Sequence, residues 1–363
     1  MNFALIITNL AGGGAEKSLL KLSTALLDRG HSVHLILLEE TIEYNLPAGI
    51  IVHSLLTTRE KGRNGIVGKR LLAARLKRLY AKLSAGEAFD VTISTLPFTD
   101  EVVELAKIPN VWHRIADALS GEIDELRERG QVIKAYRRLR RYRRIYHGKR
   151  LIVVSRGLCD DLRGRLGVTA NSIEVIHNIY PFEAIRALGS ESNPRIPQSP
   201  YIIHVGRFSP QKRHDLLFAA FKRLKTPHKL VLLTQQSDQL DALVEEHHLG
   251  QRVVIAGFQE NPYNWIKGAD LLVLSSDHEG LPNVLVEALI LQTRVVSTDC
   301  PSGPREILGN LADKYLVECN NAAALAGAMQ RALREPFAEP AGFAGRFCAA
   351  AIIRKYEQLA AAR

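Results

Sequence analysis

Two glutamates eight positions apart, Glu279 and Glu287, carry the strongest chemical signal in the chain. They lie in Ser275–Leu308, SSDHEGLPNVLVEALILQTRVVSTDCPSGPREIL. Pro282 suits the start of a helix, where its missing N–H costs little. From Asn283 to Gln292 that helix is apolar almost all round and is expected to be buried. A lone carboxylate such as Glu287 on a buried helix is expensive unless something pairs with it or donates to it. Glu279 falls in the loop that feeds the helix. The unpaired N–H groups of the helix N-terminus and the positive end of its dipole point at that same loop. Free donors beside two carboxylates suit a ligand with both phosphate and hydroxyls, the outline of a nucleotide-sugar site.

Four further segments bear on that chemistry. In Gly206-Arg207-Phe208-Ser209-Pro210-Gln211-Lys212, a strand-end arginine and a lysine five positions on can clamp a diphosphate. Each charge-assisted hydrogen bond contributes about 1.5–3 kcal/mol. The same cations stabilise charge growing on a departing nucleoside diphosphate, so no metal is required. The plain alternative is a surface pair beside Arg213. In Gly257–Tyr263, GFQENPY, Phe258 and the amides suit stacking on a nucleobase, and an ordinary loop fits equally well. Gly12-Gly13-Gly14-Ala15-Glu16 lets backbone approach an anion at a helix start. Its spacing is not the dinucleotide fingerprint, and a chain-reversing turn is the alternative. In Val111-Trp112-His113-Arg114, His113 at a strand end is a candidate to position or activate an acceptor hydroxyl, against a satisfied structural histidine.

The elements that must position these residues alternate. Strands are predicted at 3–8, 32–38, 50–54, 90–95, 110–112, 150–154 and 172–176, and again at 201–205, 229–233, 252–255, 271–274, 294–297 and 314–317. Helical patterns lie between most of them. Near-continuous apolar strands separated by helices argue for parallel sheets covered on both faces. With 363 residues the chain fits two domains. The reading is α/β, two doubly wound Rossmann-like domains facing a cleft. Residues 1–188 form an N-terminal acceptor domain and 189–340 a C-terminal nucleotide-sugar domain, with 189–200 as linker. A final helical segment, 341–363, could pack back on the first domain. Glycine, arginine and acidic loops all fall at carboxyl ends of strands, where open α/β sheets bind ligands.

Charge is uneven. Residues 1–180 hold 28 Lys+Arg against 19 Asp+Glu, whereas the rest holds 20 against 19. The excess concentrates in helical segments 66–83 and 134–147, each with an apolar stripe: Leu72, Leu76, Leu79 and Leu83 in one, Ala135, Leu139, Tyr142 and Tyr146 in the other. Such faces suit an anionic bilayer, or a solvated surface. No nucleic-acid motif accompanies the charge, so no nucleic-acid partner is expected. The four cysteines show no metal-ligand spacing and read as reduced thiols. The first residues read as a strand and turn rather than a signal peptide, and no apolar run is long enough for a membrane span.

The ordered set GGGAE, GRFSPQK, GFQENPY, EGLPNVLVE and TDCPSGPREIL resembles the retaining GT-B glycosyltransferases of family 4 (group 1), of bacterial lipopolysaccharide and capsule type. The resemblance runs from Gly12 to Leu308. It implies that Glu287 binds ribose hydroxyls, that Glu279 lies by the donor sugar, and that Arg207 and Lys212 hold the diphosphate. It implies that the amides around Leu281, Pro282 and Asn283 face the donor, and that the loop at Gly13 and Gly14 closes over donor or acceptor. It further implies a UDP-sugar donor substrate, a metal-independent reaction without cofactor, a hexosyl or N-acetylhexosaminyl group transferred, and a lipid-linked or lipopolysaccharide glycan as acceptor. A cytoplasmic enzyme peripheral to the inner face of the plasma membrane is expected. VWHRIADAL matches no firm family pattern. The alternatives are a GT-B-like sugar phosphorylase, a nucleotide-sugar epimerase, or a non-enzymatic protein using its basic half.

Overall fold

The computed structural model describes residues 1–11, 13–57 and 65–361. The chain divides into two compact units, Met1–Ile179 with Arg346–Arg363, and Tyr180–Gly345.

The first unit is built on seven parallel strands: β1 (Asn2–Ile7), β2 (Ser32–Leu37), β3 (Ile51–Ser54), β4 (Val91–Thr95), β5 (Val111–Ile115), β6 (Arg150–Val153) and β7 (Ser172–Val175). Their order is β3-β2-β1-β4-β5-β6-β7. Every residue of β1 and β4 is buried. That is the reason their sequences are near-continuously apolar rather than alternating. Phe3, Leu5 and Ile7 face one apolar layer, which includes Leu19, Leu22 and Leu26 of helix α1 (Gly14–Leu27) and Ile352 and Ile353. Ala4 and Ile6 face the other, with Leu72 and Leu76 of α2 (Ile66–Gly86) and Val102 and Val103 of α3 (Pro97–Ala106). Two more helices, α4 (Leu119–Glu128) and α5 (Val132–Tyr146), connect β5 to β6.

The second unit has six parallel strands: β8 (Tyr201–Val205), β9 (Lys229–Leu233), β10 (Val253–Ile255), β11 (Leu271–Leu274), β12 (Arg294–Thr298) and β13 (Leu316–Val317), in the order β10-β9-β8-β11-β12-β13. All thirteen predicted strands are present; three match at both ends, and the others have one or both ends shifted by one to three residues.

The division of the chain moves one boundary of the sequence reading, and its final segment packs on the first unit as expected, from Arg346 rather than residue 341. The unit boundary falls at 179/180, ahead of the segment read as a linker. Helix Phe182–Gly189 packs on helices Tyr263–Lys267 and Asn283–Ile290, and a Cβ on Gly189 would lie 2.5 Å from a Leu291 methyl. The segment after it is fastened as well: Lys267 Nζ donates to Ser190 Oγ at 2.8 Å and Asn261 Nδ2 to Glu191 at 2.7 Å. Its Ser- and Pro-rich composition therefore marks an ordered crossing of the second unit's surface. At the other end, chain from Arg346 onward belongs to the first unit. There helix Ala349–Gln358 buries Ile352, Ile353 and Tyr356 against α1 and the first sheet.

Candidate functional site

In each sheet one pair of neighbouring strands has its connections leaving in opposite directions: β1 with β4, and β8 with β11. A crevice opens at the carboxyl end of such a pair, where open α/β sheets hold ligands. Gly206–Lys212 follows β8, and Ser275–Asn283 follows β11. Two segments far apart in sequence thus meet at one point in the second unit.

They are bonded to each other. Asp277 N–H donates to Gln211 O at 2.9 Å, Gln211 Nε2 to His278 O at 2.6 Å, and Ser275 Oγ to Lys212 O at 2.7 Å. Lys212 Nζ reaches Glu279 Oε1 at 2.6 Å, with side-chain exposures of 18% and 10%. Arg213, in the left-handed region at φ 48°, turns outward to Asp215 and Asp277. Those carboxylates hold its guanidinium charged well above the ordinary range. Arg207 is exposed and has no ion pair among the described residues. Of the two cations expected to clamp a diphosphate, one is held in place by the site and the other stands open.

Behind this loop lie two buried imidazoles, His204 and His214, with ring centroids 4.7 Å apart. Burial, with Lys212 adding to it, lowers His214 to about 4, and burial lowers His204 as well. Both are neutral at ordinary pH and add no charge of their own to the site. A Cβ at Gly206 would meet Lys212 Cε at 3.4 Å and His204 Nε2 at 3.5 Å, ordinary contacts. Backbone geometry does not demand glycine there.

Helix Asn283–Ile290 begins directly after Pro282, and Leu285 through Ile290 are buried. The expected cost of Glu287 is met by Tyr263, whose hydroxyl donates to Glu287 Oε1 at 3.2 Å. Burial, and then the Glu287 charge, hold that phenol protonated far above its usual range. Tyr263 comes from the GFQENPY segment. Its partner residues there are used internally: Asn261 Nδ2 donates to Leu188 O at 2.9 Å and Gln259 Nε2 to Ala256 O at 2.5 Å. The amides read as available to a base instead brace the loop. Phe258 stands 76% exposed after Gly257, which has φ +77°. Asn283 Oδ1 accepts from Tyr180 OH at 2.7 Å.

Two residues that sequence reasoning passed over shape the loop around Leu281 and Pro282. Ser302 and Gly303 have φ of 68° and 99°. A Cβ at Gly303 would lie 2.4 Å from Pro282 Cδ and 3.1 Å from Leu281 Cα. Pro301 O accepts the Glu279 N–H at 3.3 Å. The PSG turn is the floor on which Glu279–Pro282 rests, and only glycine permits that approach.

In the first unit, Gly12 lies outside the described residues. Gly13 is extended at φ −177° and its N–H donates to the Tyr44 hydroxyl at 2.8 Å. Nothing crowds a Cβ at Gly14 within 4 Å. Tyr44 was not foreseen, because it lies in a segment without periodic pattern. At the same strand-pair crossing Leu96 has φ 81°, a strained value for a branched side chain, just before α3.

His113 departs most from expectation. Strand β5 continues to Ile115, so His113 is a mid-strand residue, 1% exposed. Its Nδ1 lies 2.9 Å from Ser94 Oγ and 3.2 Å from Asp100, and its Nε2 lies 2.8 Å from Glu104. Burial opposes the charge, but the two carboxylates outweigh it and push His113 up to about 9. An imidazolium with both nitrogens engaged by buried or half-buried carboxylates has no nitrogen left to take a proton from a hydroxyl. This environment matches the satisfied structural histidine weighed in the sequence against the catalytic candidate. Next to it Arg114, 2% exposed, donates to Ser18 Oγ at 2.7 Å, Asn178 Oδ1 at 2.5 Å and Tyr356 OH at 3.3 Å, tying β5 to α1 and the C-terminal helix.

The two basic helices, α2 and α5, each pack on α3. Glu101 on α3 receives Lys69 Nζ at 2.6 Å from α2 and Arg141 and Arg144 at 2.8 and 2.5 Å from α5. Burial raises the Glu101 carboxyl, yet these cations hold it below its ordinary range. Arg138 pairs with Glu122 of α4. Part of the basic excess is therefore internal cement.

Known proteins share this organisation. Residues 12–183 match the family described as Glycosyltransferase Family 4, and residues 189–344 match Glycosyl transferases group 1. An N-acetylgalactosamine-N,N'-diacetylbacillosaminyl-diphospho-undecaprenol 4-alpha-N-acetylgalactosaminyltransferase of Campylobacter jejuni is 28% identical over 87% of this chain and 86% of its own. A lipopolysaccharide 1,6-galactosyltransferase of Salmonella typhimurium is 29% identical over 43% and 45%. Among solved structures, a sucrose-phosphate synthase from Thermosynechococcus elongatus superposes with TM-score 0.75 at 20% identity over all of both chains. Anabaena HepE in complex with UDP and glucose gives 0.72 at 17%, over 99% of this chain and 100% of that one. The fold is the two-domain, Rossmann-like GT-B fold, and the chain belongs to the family 4, group 1 glycosyltransferases.

Proposed function

We propose that this glycosyltransferase moves a hexosyl or N-acetylhexosaminyl group from a UDP-sugar to a lipid-linked or lipopolysaccharide glycan, with retention of configuration and without a metal. The observation that carries the reading is the β8/β11 crossing. There an open Arg207, a braced Lys212–Glu279 pair and a buried Glu287–Tyr263 pair surround the start of one helix. Arg207 and Lys212 bind the diphosphate and offset the charge that grows as it leaves. One fixed and one open cation supply what a divalent metal otherwise would. Glu287 receives ribose hydroxyls, Phe258 stacks on the base, and Glu279 with the Leu281–Asn283 amides orients the sugar. The Campylobacter relative supports the acceptor class, its name containing a diphospho-undecaprenol-linked sugar. Arg70, Lys77, Arg78, Lys82, Lys134, Arg137 and Arg140 draw the enzyme to the anionic inner face of the cytoplasmic membrane, where such an acceptor resides.

The test is a thermal-shift screen of UDP-, GDP- and ADP-sugars, followed by turnover on an undecaprenyl-diphosphate-linked glycan with chelator present. Selective stabilisation by a UDP-sugar, UDP release, and an axial product linkage from an axial donor are expected. Stabilisation by another nucleotide alone, or loss of turnover with chelator, overturns the donor or the metal-free reading.

A further inference from the structure

Among the described residues ten large apolar side chains are exposed, and five lie at the first turns of α2 and α5. Ile66 and Val67 are 74% and 78% exposed, and Val132, Ile133 and Tyr136 are 63%, 71% and 60% exposed. Scattered exposed apolar residues need no explanation, whereas two clusters at the ends of two basic helices do.

Both clusters lie toward the same end of the first sheet. Helix α2 follows β3 and precedes the parallel β4, so it starts at the carboxyl end of the strands. Helix α5 leads into the amino end of β6, so its own start points the same way. Lys69, one turn into α2, and Arg141 of α5 meet at Glu101. Val132 precedes Arg141 by nine residues, about 14 Å of helix, so the α4–α5 tip projects past that junction. Around the apolar residues stand Arg70, Lys134, Arg137 and Arg140, none with a carboxylate partner among the described residues. Arg140 lies over the Tyr136 ring at 6.0 Å. The cations nearer the sheet, Lys69, Arg138, Arg141 and Arg144, are consumed by Glu101 and Glu122.

We infer that these two helix starts form a bilayer-insertion surface: Ile66, Val67, Val132, Ile133 and Tyr136 enter the acyl boundary of an anionic membrane while Arg70, Lys134, Arg137 and Arg140 engage its headgroups. The inference deepens the acceptor reading above and rests on it. Apolar tips within a cationic collar match a lipid surface, with its anionic rim over an apolar interior, better than they match a protein groove. The surface lies at the carboxyl edge of the sheet, the edge that also carries Gly13 and Leu96, so docking would present a lipid-borne acceptor to the ligand-binding side of this unit.

The native tryptophans, Trp112 and Trp265, are both 2% exposed, so a Tyr136→Trp variant of the full chain gives a clean surface reporter. On vesicles of phosphatidylcholine with phosphatidylglycerol, its emission shifts to the blue and is quenched by lipids brominated high on the acyl chain. Ile66→Ser/Val67→Ser/Val132→Ser/Ile133→Ser weakens vesicle binding about 100-fold or more, leaving a salt-sensitive remainder. Lys134→Glu/Arg137→Glu/Arg140→Glu abolishes the preference for phosphatidylglycerol. Binding without quenching, serine variants that bind as wild type, or dimerisation through these residues with no vesicle binding overturns the inference. Stabilisation by UDP-sugars is measured in parallel without lipid. If it persists while insertion fails, only the docking surface is wrong; if it fails, the donor reading falls with it.

Discussion

Replacing Lys212 by methionine separates what the site needs for stability from what it needs for chemistry. Lys212 Nζ is 2.6 Å from Glu279 Oε1, and the two side chains keep 18% and 10% of their exposure. Removing one partner of a fully buried ion pair costs about 3–5 kcal/mol, because the other charge is left without compensation. Residual hydration of both groups reduces that here to about 2–3 kcal/mol. Domains of this size lose about 2–4 °C per kcal/mol, so melting falls by about 5–10 °C. Adding Glu279→Gln removes the stranded charge, and the double variant recovers most of that stability. Catalysis behaves differently. A preorganised donor aimed at developing charge is worth about 10²–10³ in kcat, and the second substitution cannot restore it. Calorimetry and UDP release on the same four proteins, wild type, both single variants and the double, measure both quantities. A double variant no more stable than Lys212→Met refutes the stranded-charge account. Undiminished kcat in Lys212→Met refutes the role of Lys212 at the leaving group.

Gly303→Ala forces a Cβ to within 2.4 Å of Pro282 Cδ at a φ of 99°, so donor KM rises about tenfold or more and stability falls, read by steady-state kinetics and melting. Tyr263→Phe leaves Glu287 without its 3.2 Å donor and lowers stability by about 1–3 kcal/mol, while Glu287→Gln weakens nucleotide affinity in calorimetric titration with little change in fold. His113 stabilises the first unit while it is charged. Its folded pKa of about 9 lies above the ordinary 6.5, so that stability is complete below pH 6.5 and fades as pH rises toward 9, by about 3 kcal/mol. His113→Gln flattens this slope in urea titrations, and a slope unchanged by the substitution counts against the assignment. His214, lowered to about 4, acts in the opposite sense: the second unit loses stability as pH falls from 6.5 toward 4.

The sheets were legible because parallel strands buried on both faces must be apolar throughout, and helices between them leave no other pairing. Arg207, Lys212, Glu279 and Glu287 stood out for a related reason: a charged residue beside a fully apolar strand or helix has few structural uses. His113 misled because polar residues were taken to end a strand. Ser94, Asp100 and Glu104 satisfy it from other elements, so β5 runs through it, and no local pattern announces such long-range partners. The same holds for Tyr263, which meets Glu287 from 24 residues away, and for Gly303, whose requirement arises from Pro282 on a different loop. The 189–200 segment misled through composition: serine and proline mark irregular backbone, and irregular backbone can be firmly held.

The loops at the β8/β11 crossing explain why one cation is held and the other open. Three hydrogen bonds join Gly206–Lys212 to Ser275–Asn283, and the Lys212–Glu279 pair closes the same seam. A lysine fixed this way contributes its field without reorganising when charge develops, which is the condition for electrostatic stabilisation to lower a barrier. On the donor reading proposed above, its pairing with Glu279 would also limit how tightly it grips a ground-state diphosphate, since the carboxylate already offsets part of its charge. Arg207 carries no such offset, so on the proposed reading it would supply the initial attraction. As the glycosidic bond breaks and negative charge grows on the diphosphate, the balance at Lys212 would, on that donor reading, shift from Glu279 toward the leaving group. On the same reading the carboxylate would then face the positive charge forming on the sugar. A pair of opposite charges at the point where a bond separates into opposite charges favours the transition state over the bound substrate, and that difference is what accelerates the reaction.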